Sequence, residues 1–144
     1  MKILVLNGPN MNMLGIREPE IYGRETYQDL VDLILRKKGG SHEIAFSQSN
    51  HEGDLVDAIQ QAYFTGVQGI VFNPAAYTHT SVAIADAVKA VGIPTIEVHI
   101  SDPDSREEFR KVSYIRKAAA GTVTGRGFQG YIDAIDMLEE IASR

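Results

Sequence analysis

Two pairs of residues in this sequence have the types and spacing of acid–base partners: Arg17 with Tyr22, five apart, and Glu97 with His99, two apart. A tyrosine hydroxyl titrates near ~10, so as a base it must be held as phenolate by an adjacent cation. Arg17 can supply that charge without itself giving up a proton, and the pair then suits proton abstraction. Equally, Arg17 can be a loop cation balanced by Glu18 or Glu20, with Tyr22 a loop anchor, since exposed pairs of that kind are common. Residues two apart on a strand face the same side, so Glu97 can orient the His99 ring or favour its charged form and make it a positioned acid. A partly buried hydrogen-bonded pair without a catalytic task meets the same spacing. Asn73 and His79 are neutral groups suited to binding hydroxyls, or else serve a helix start that Thr78, Thr80 or Ser81 could cap as well. Ser101 with the Ile100 amide resembles a small anion cradle. Arg106 and Arg110, four apart, offer cations for a carboxylate or form a solvated face with Glu107 and Glu108.

Three apolar runs each end in these polar clusters. Val5-Leu6-Asn7-Gly8-Pro9-Asn10 closes the first, Asn73 to Ser81 follows Gly69-Ile-Val-Phe, and Glu97 to Ser101 ends the run from Pro94. As parallel strands they place their carboxyl ends on one sheet edge, where open α/β folds bind ligands, so that Asn10, Asn73, His79 and His99 converge on one cleft. Strands are predicted at Lys2 to Asn7, Glu43 to Ser47, Gln68 to Asn73, Pro94 to His99 and Gly121 to Gly125. Several lack polar alternation, as strands covered by helices on both faces do. Helices are predicted near 26–37, 52–65, 80–91 and 127–143, with a shorter turn near 106–111. Thr26-Tyr-Gln-Asp29, Ser49-Asn-His-Glu52 and Ser105-Arg-Glu-Glu108 read as helix starts, and Gly39-Gly40, Gly66 and Gly92 as stops. This alternation predicts a flavodoxin-like doubly wound α/β fold, five parallel strands in the order 2-1-3-4-5. The connection from Gly8 to Glu25 is the anomaly. It runs about eighteen residues without helical periodicity where ~2–6 is usual, and reads as a lid bearing Arg17 and Tyr22 between hinges at Gly15 and Gly23.

The 144 residues suit one domain, which at this size can bury roughly 68–70% of its unfolded surface. Residues 1–144 are therefore expected to form a single catalytic domain. With no cysteine, disulfides, thiolate metal sites and a cysteine nucleophile are excluded, and a reducing compartment, the cytoplasm, is expected. No apolar run is long enough to span a bilayer, and the strand-like N-terminus is too short for a signal peptide, so neither membrane nor export is expected. A net charge of −5, with fourteen scattered Lys and Arg, argues against a nucleic-acid partner. Gly125-Arg-Gly-Phe-Gln-Gly130 spells the dinucleotide fingerprint. That motif needs a following strand and an acidic ribose ligand about twenty residues on, whereas one helical stretch follows here. Glycines for a tight turn and close helix packing are the better reading.

Asn7-Gly8-Pro9-Asn10, Leu14-Gly-Ile-Arg-Glu-Pro19 with Tyr22-Gly23, Gln48-Ser-Asn-His-Glu-Gly53, Asn73-Pro-Ala-Ala-Tyr-Thr-His-Thr-Ser81 and Glu97-Val-His-Ile-Ser101 together resemble type II 3-dehydroquinate dehydratase. The resemblance runs end to end and in order. It implies Tyr22 as base, Arg17 as its activator, His99 as acid and Asn10 near a developing enolate. It further implies Asn73 and His79 on substrate hydroxyls, the Ile100 and Ser101 amides on a carboxylate, and Arg110 on a ring hydroxyl, with Glu97 in support. Asp86 would reach into a neighbouring subunit's site, in a homododecamer built from trimers. No metal or organic cofactor is implied; the partner is a small-molecule substrate. Met11 and Met13 depart from the usual leucines, Lys111 from a frequent histidine and Arg126 from an apolar residue. A reading of a different class is a non-catalytic module that binds a mononucleotide or flavin at the same edge.

Overall fold

The computed structural model describes residues 1–16 and 18–144; Arg17 and the side chain of Tyr22 lie outside the described residues. Strands β1 (Lys2–Asn7), β2 (Glu43–Gln48), β3 (Gly69–Asn73), β4 (Thr95–His99) and β5 (Gly121–Thr124) pair in parallel in the order β2-β1-β3-β4-β5. The sequence therefore predicted the sheet, its order and each strand to within a residue or so. Helices α1 (Pro19–Tyr22), α2 (Tyr27–Lys38), α3 (Glu52–Phe64) and α4 (Val82–Val91) lie in the first three crossovers, the β4–β5 crossover holds only 3-10 turns among the described residues, and α5 (Gln129–Ala142) follows β5. No helix among the described residues is long and apolar enough to cross a membrane.

Period-two alternation divides the strand residues between two cores. Ile3 and Val5 of β1, with Val71, Ile96 and Val98, pack against Leu30 and Ile34 of α2 and Tyr131, Ile135 and Leu138 of α5. Leu4 and Leu6, with Ile70 and Phe72, pack against Leu55 and Ile59 of α3 and Ile84 and Val88 of α4. Helix pairs cover both faces, so the central strands β3 and β4 are buried along their whole length. Register then aligns the functional ends: Asn7 lies opposite Asn73, Phe72 opposite Glu97, and His99 opposite Thr124.

Thr26 caps α2 as expected, accepting from Asp29 N at 3.2 Å while the Asp29 carboxylate accepts from Thr26 N at 2.9 Å. Two other expected starts are corrected. Ser49 does not cap α3, because its hydroxyl accepts from His51 N ahead of the helix and donates to the side chain of Asp54 in its first turn. Ser105 turns back, donating to the Asp102 carbonyl at the end of a 3-10 turn, Pro103–Ser105, and the shorter turn expected near 106–111 is the 3-10 turn Glu108–Lys111. The Gly8 to Glu25 connection is also more ordered than its sequence suggests, with a 3-10 turn at Met11–Met13 before α1.

Gly8 is where the chain leaves β1 and passes against the segment after β3. Its N–H donates to the Asn73 carbonyl at 2.7 Å, and a Cβ there would lie 2.5 Å from the Pro74 carbonyl oxygen. Backbone cannot yield as a side-chain tip can. Gly8→Ala should therefore lower stability by about 1–3 kcal/mol, read as a reduced urea midpoint at unchanged slope. A midpoint equal to wild type would show that the two strand ends separate without cost.

Candidate active site

The C-terminal ends of β1, β3 and β4 border a pocket lined by Asn10, Asn73, His79, His99, Ile100, Ser101, Arg106 and Arg110, with Met11, Ala75, Ala76 and Pro103. The structure thus brings together the four residues predicted to converge and both halves of the anion cradle. Asp86 is exposed on α4, away from this pocket, as its placement two turns beyond His79 implies. Two non-glycine residues beside the pocket, Asn10 (φ 71°) and Ala75 (φ 54°), are left-handed. Asparagine tolerates that region, whereas alanine there costs on the order of 1–3 kcal/mol, held by the surrounding packing.

Glu97 is 0% exposed, and its carboxylate is the electrostatic centre of the site. His99 Nε2 lies 2.5 Å from Glu97 Oε2, Thr78 Oγ1 donates to the same oxygen at 2.6 Å, and Ser113 Oγ lies 3.1 Å from each oxygen. Burial alone would push the Glu97 carboxyl up. The hydrogen bond and charge of His99 and the bonds from Thr78 and Ser113 outweigh it, and hold the group below its ordinary value. An ionised Glu97 only accepts, so His99 Nε2 carries the proton between them. Nδ1 is the ring nitrogen left to exchange a proton with a ligand.

His79 is set differently. Its Nδ1 lies 2.6 Å from the Val112 carbonyl, which can only accept, so Nδ1 bears the proton and Nε2 is left as an acceptor. Burial pushes its pKa below the ordinary histidine value despite that bond, so the ring is neutral at pH 7. The cap beside it belongs to Ser81, which accepts from Ile84 N at 3.0 Å. Asn73, 3% exposed, closes a turn by accepting from Ala75 N and donates from Nδ2 to the Tyr131 hydroxyl and the Met11 sulfur. Tyr131 in turn donates to Asn7 Oδ1 at 2.6 Å. Burial holds the Tyr131 phenol far above its ordinary value, which keeps it a donor.

The glycine-rich segment after β5 supports the cradle. Gly127 N donates to the Ile100 carbonyl and Gly125 N to that of Ser101, from left-handed conformations at both glycines. At Gly130 a Cβ would sit 3.3 Å from Val123 Cγ1, so the glycine lets α5 approach the sheet. Arg106 pairs with Glu18 at 3.7 Å and Arg110 Nε donates to Glu107 at 2.6 Å, and both arginines line the pocket. Asn10 N donates to Asn50 Oδ1 at 3.0 Å. Sequence reasoning missed Ser113, Tyr131 and Asn50 and considered Thr78 only as a cap. Among these, the adjacency of Thr78 to His79 was the usable signal.

The family model described as dehydroquinase class II matches residues 1–139. The chain belongs to this family. Over 141 residues it is 54% identical to the 3-dehydroquinate dehydratase of Caldicellulosiruptor bescii, covering 97% of each chain. The crystal structure of type II dehydroquinase from Butyrivibrio crossotus superposes with TM-score 0.94 at 55% identity, over 96% of this chain and 97% of that one. The Propionibacterium acnes type II dehydroquinase gives 0.88 at 40% identity, over 99% and 97%. Membership of this enzyme family displaces the reading as a flavin or nucleotide module. As for the departures within the dehydroquinase family, Met11 is buried with its sulfur accepting from Asn73, and Arg126 is exposed and paired with Asp133 at 2.9 Å.

The buried carboxylate makes stability depend on acid. Glu97 titrates below its ordinary 4.5 when folded, so its contribution is complete above about that pH and is lost as pH falls through the folded value. The stability gap between wild type and Glu97→Gln should narrow as pH falls from about 5 to 3. Urea unfolding at a series of pH values checks this; parallel curves would contradict it.

Proposed function

We propose that this enzyme converts 3-dehydroquinate to 3-dehydroshikimate by anti elimination of water through an enolate, within one catalytic domain and without a cofactor. The observation that carries the reading is the ionised Glu97 against His99 Nε2, which leaves Nδ1 directed to chemistry in a pocket lined by neutral hydroxyl-binding groups and cations. Tyr22, held as phenolate by Arg17, removes a proton beside the ketone. The C–H electron pair passes into the enolate, whose oxygen is stabilised near Asn10. As the carbonyl re-forms, the enolate's C=C pair shifts to make the new α,β double bond, the C–O bond to the β-hydroxyl breaks with its pair staying on oxygen, and that oxygen takes the proton of His99 Nδ1, leaving as water. The Tyr22 proton and the His99 vacancy are then reset by solvent. Base and acid each contribute on the order of 10²–10⁴-fold.

Binding follows the same polarity. Asn73 and His79 Nε2 engage substrate hydroxyls, the Ile100 and Ser101 amides take the carboxylate, and Arg110 binds a ring hydroxyl. The exposed place of Asp86 on α4 supports its contribution to a neighbouring site, in trimers gathered into a homododecamer. The cysteine-free chain suits the cytoplasm.

Enone absorbance generated from 3-dehydroquinate tests the reaction. Tyr22→Phe should reduce turnover at least about 10²-fold while calorimetry still detects ligand binding. Arg17→Ala should slow chemistry and move the limb on which the base ionises to higher pH, because the phenolate loses its cation. An active Tyr22→Phe enzyme would overturn the base assignment.

Mixed oligomers test the shared site. Inactive Tyr22→Phe and inactive Asp86→Ala chains, once exchanged, should regain some activity, because certain sites receive both intact residues. Complete exchange with no recovery would confine Asp86 to its own subunit.

A further inference from the structure

We infer that Thr78, seconded by Ser113, is a positioning residue for the acid: its hydroxyl holds the Glu97 carboxylate in the one orientation that fixes the His99 ring. The inference rests on the reading of His99 as the acid and adds to it residues that never touch substrate. Thr78 lies in the 3-10 turn Ala75–His79, is 1% exposed, and donates to the very oxygen of Glu97 that faces His99 Nε2. Its hydroxyl has no structural task that competes with this one. Ser81 caps the following helix, and the turn is secured by backbone, with Tyr114 N donating to the Thr78 carbonyl at 2.9 Å.

Donor counting gives the hydroxyls their weight. A buried carboxylate needs its lone pairs met, and Glu97 has His99, Thr78 and Ser113 as donors, one from its own strand and two from other segments. Ser113 Oγ is held in turn by Arg116 N at 3.0 Å and lies 2.7 Å from Thr78 Oγ1. Without the Thr78 donor, the carboxylate either rotates to find another or takes up a proton. In the first case His99 Nε2–H loses its aligned acceptor and in the second it faces a neutral acid, so the ring is no longer fixed with Nδ1 toward the ligand. The other charged or titratable groups around the pair among the described residues are His79 on the same turn and Arg106 and Arg110 on the neighbouring one.

The arrangement also ties the acid to the binding of substrate. Ser113 follows Arg110 by three residues, and the Val112 carbonyl between them accepts from His79 Nδ1. The stretch that follows Arg110 therefore braces His79 through Val112 and, by way of Glu97, His99 through Ser113, so the acid and the hydroxyl-binding groups are placed together.

The test compares Thr78→Val, which keeps the shape and removes the donor, with Thr78→Ser, which restores it, using 3-dehydroquinate turnover across pH. A lost hydrogen bond to a charged group should lower kcat of Thr78→Val on the order of ten- to a hundredfold, with KM within about threefold. Because the Thr78 bond is one of those that hold Glu97 low, the fall of kcat at low pH should begin at higher pH than in wild type, and the proton NMR resonance of His99 Nε2–H should move or be lost. Thr78→Ser should recover most of kcat and the wild-type profile. Wild-type kcat and profile in folded Thr78→Val, or a Thr78→Ser enzyme as impaired as Thr78→Val, would overturn the inference. If Thr78→Val does not fold, Ser113→Ala carries the test: a lowered kcat with the same shift supports it and an unchanged profile overturns it. His99→Asn separates the two levels, since an active His99→Asn enzyme removes the acid assignment itself, whereas an inactive one beside unchanged Thr78→Val removes only the role of Thr78.

Discussion

A carboxylate taken wholly out of water at the end of a central strand has to be met by donors, and Glu97 draws them from segments far apart in the chain. His99 comes from β4 itself, Thr78 from the turn after β3, and Ser113 from the stretch that follows Arg110. If any of these elements were displaced, a buried charge would be left short of a partner, a cost of several kcal/mol in a low-dielectric interior. The same demand that makes the site electrostatically useful therefore holds the loops around it in place.

The parallel sheet makes this convergence possible. Crossovers return each strand in the same direction, so all the carboxyl ends lie on one edge. With helices on both faces, the central strands have no solvent-facing side on which polar residues would be at ease. Asn7, Asn73, Glu97 and His99 are polar residues tolerated there because they pair with one another's surroundings: Asn7 and Asn73 through Tyr131, Glu97 and His99 directly. Apart from Asn7 Nδ2, a buried donor left without a partner among the described residues, these polar side chains form hydrogen-bonded networks that leave groups toward the pocket. Asn73 keeps capacity at Oδ1, His79 keeps Nε2, and His99 keeps Nδ1.

Neighbouring backbone is correspondingly tight. Gly8 passes so close to Pro74 that no side chain fits, and Ala75 immediately beyond is held in a left-handed conformation. These features belong to the two segments that carry Asn10 and His79 into the pocket. Close approach and strain are sustained there by the cores beneath, where Phe72, Leu6 and Ile84 are fully buried.

Much of this was legible in the order of residues, because strands, helices and capping boxes are local patterns. Uninterrupted apolar runs marked the buried strands, Thr26 and Asp29 marked the start of α2, and the two-residue spacing of Glu97 and His99 already implied that they face the same way. The joint motifs also carried the family. Misreadings arose where two local bonds compete on equal terms: Ser49 and Ser105 have the look of caps, yet the Ser49 hydroxyl donates to the Asp54 side chain and that of Ser105 turns back to the Asp102 carbonyl. What only the tertiary structure decided is which hydroxyl meets which charge. Thr78 and Ser81 are alike in sequence as potential caps, and nothing local says that one caps α4 while the other meets a carboxylate nineteen positions away. Tyr131 and Asn7, 124 positions apart, are joined because α5 is close-packed against the sheet. Such partners depend on how strands are ordered and helices seated, and a hydrogen bond reaches only about 3 Å, so it is settled after the fold has brought its ends together.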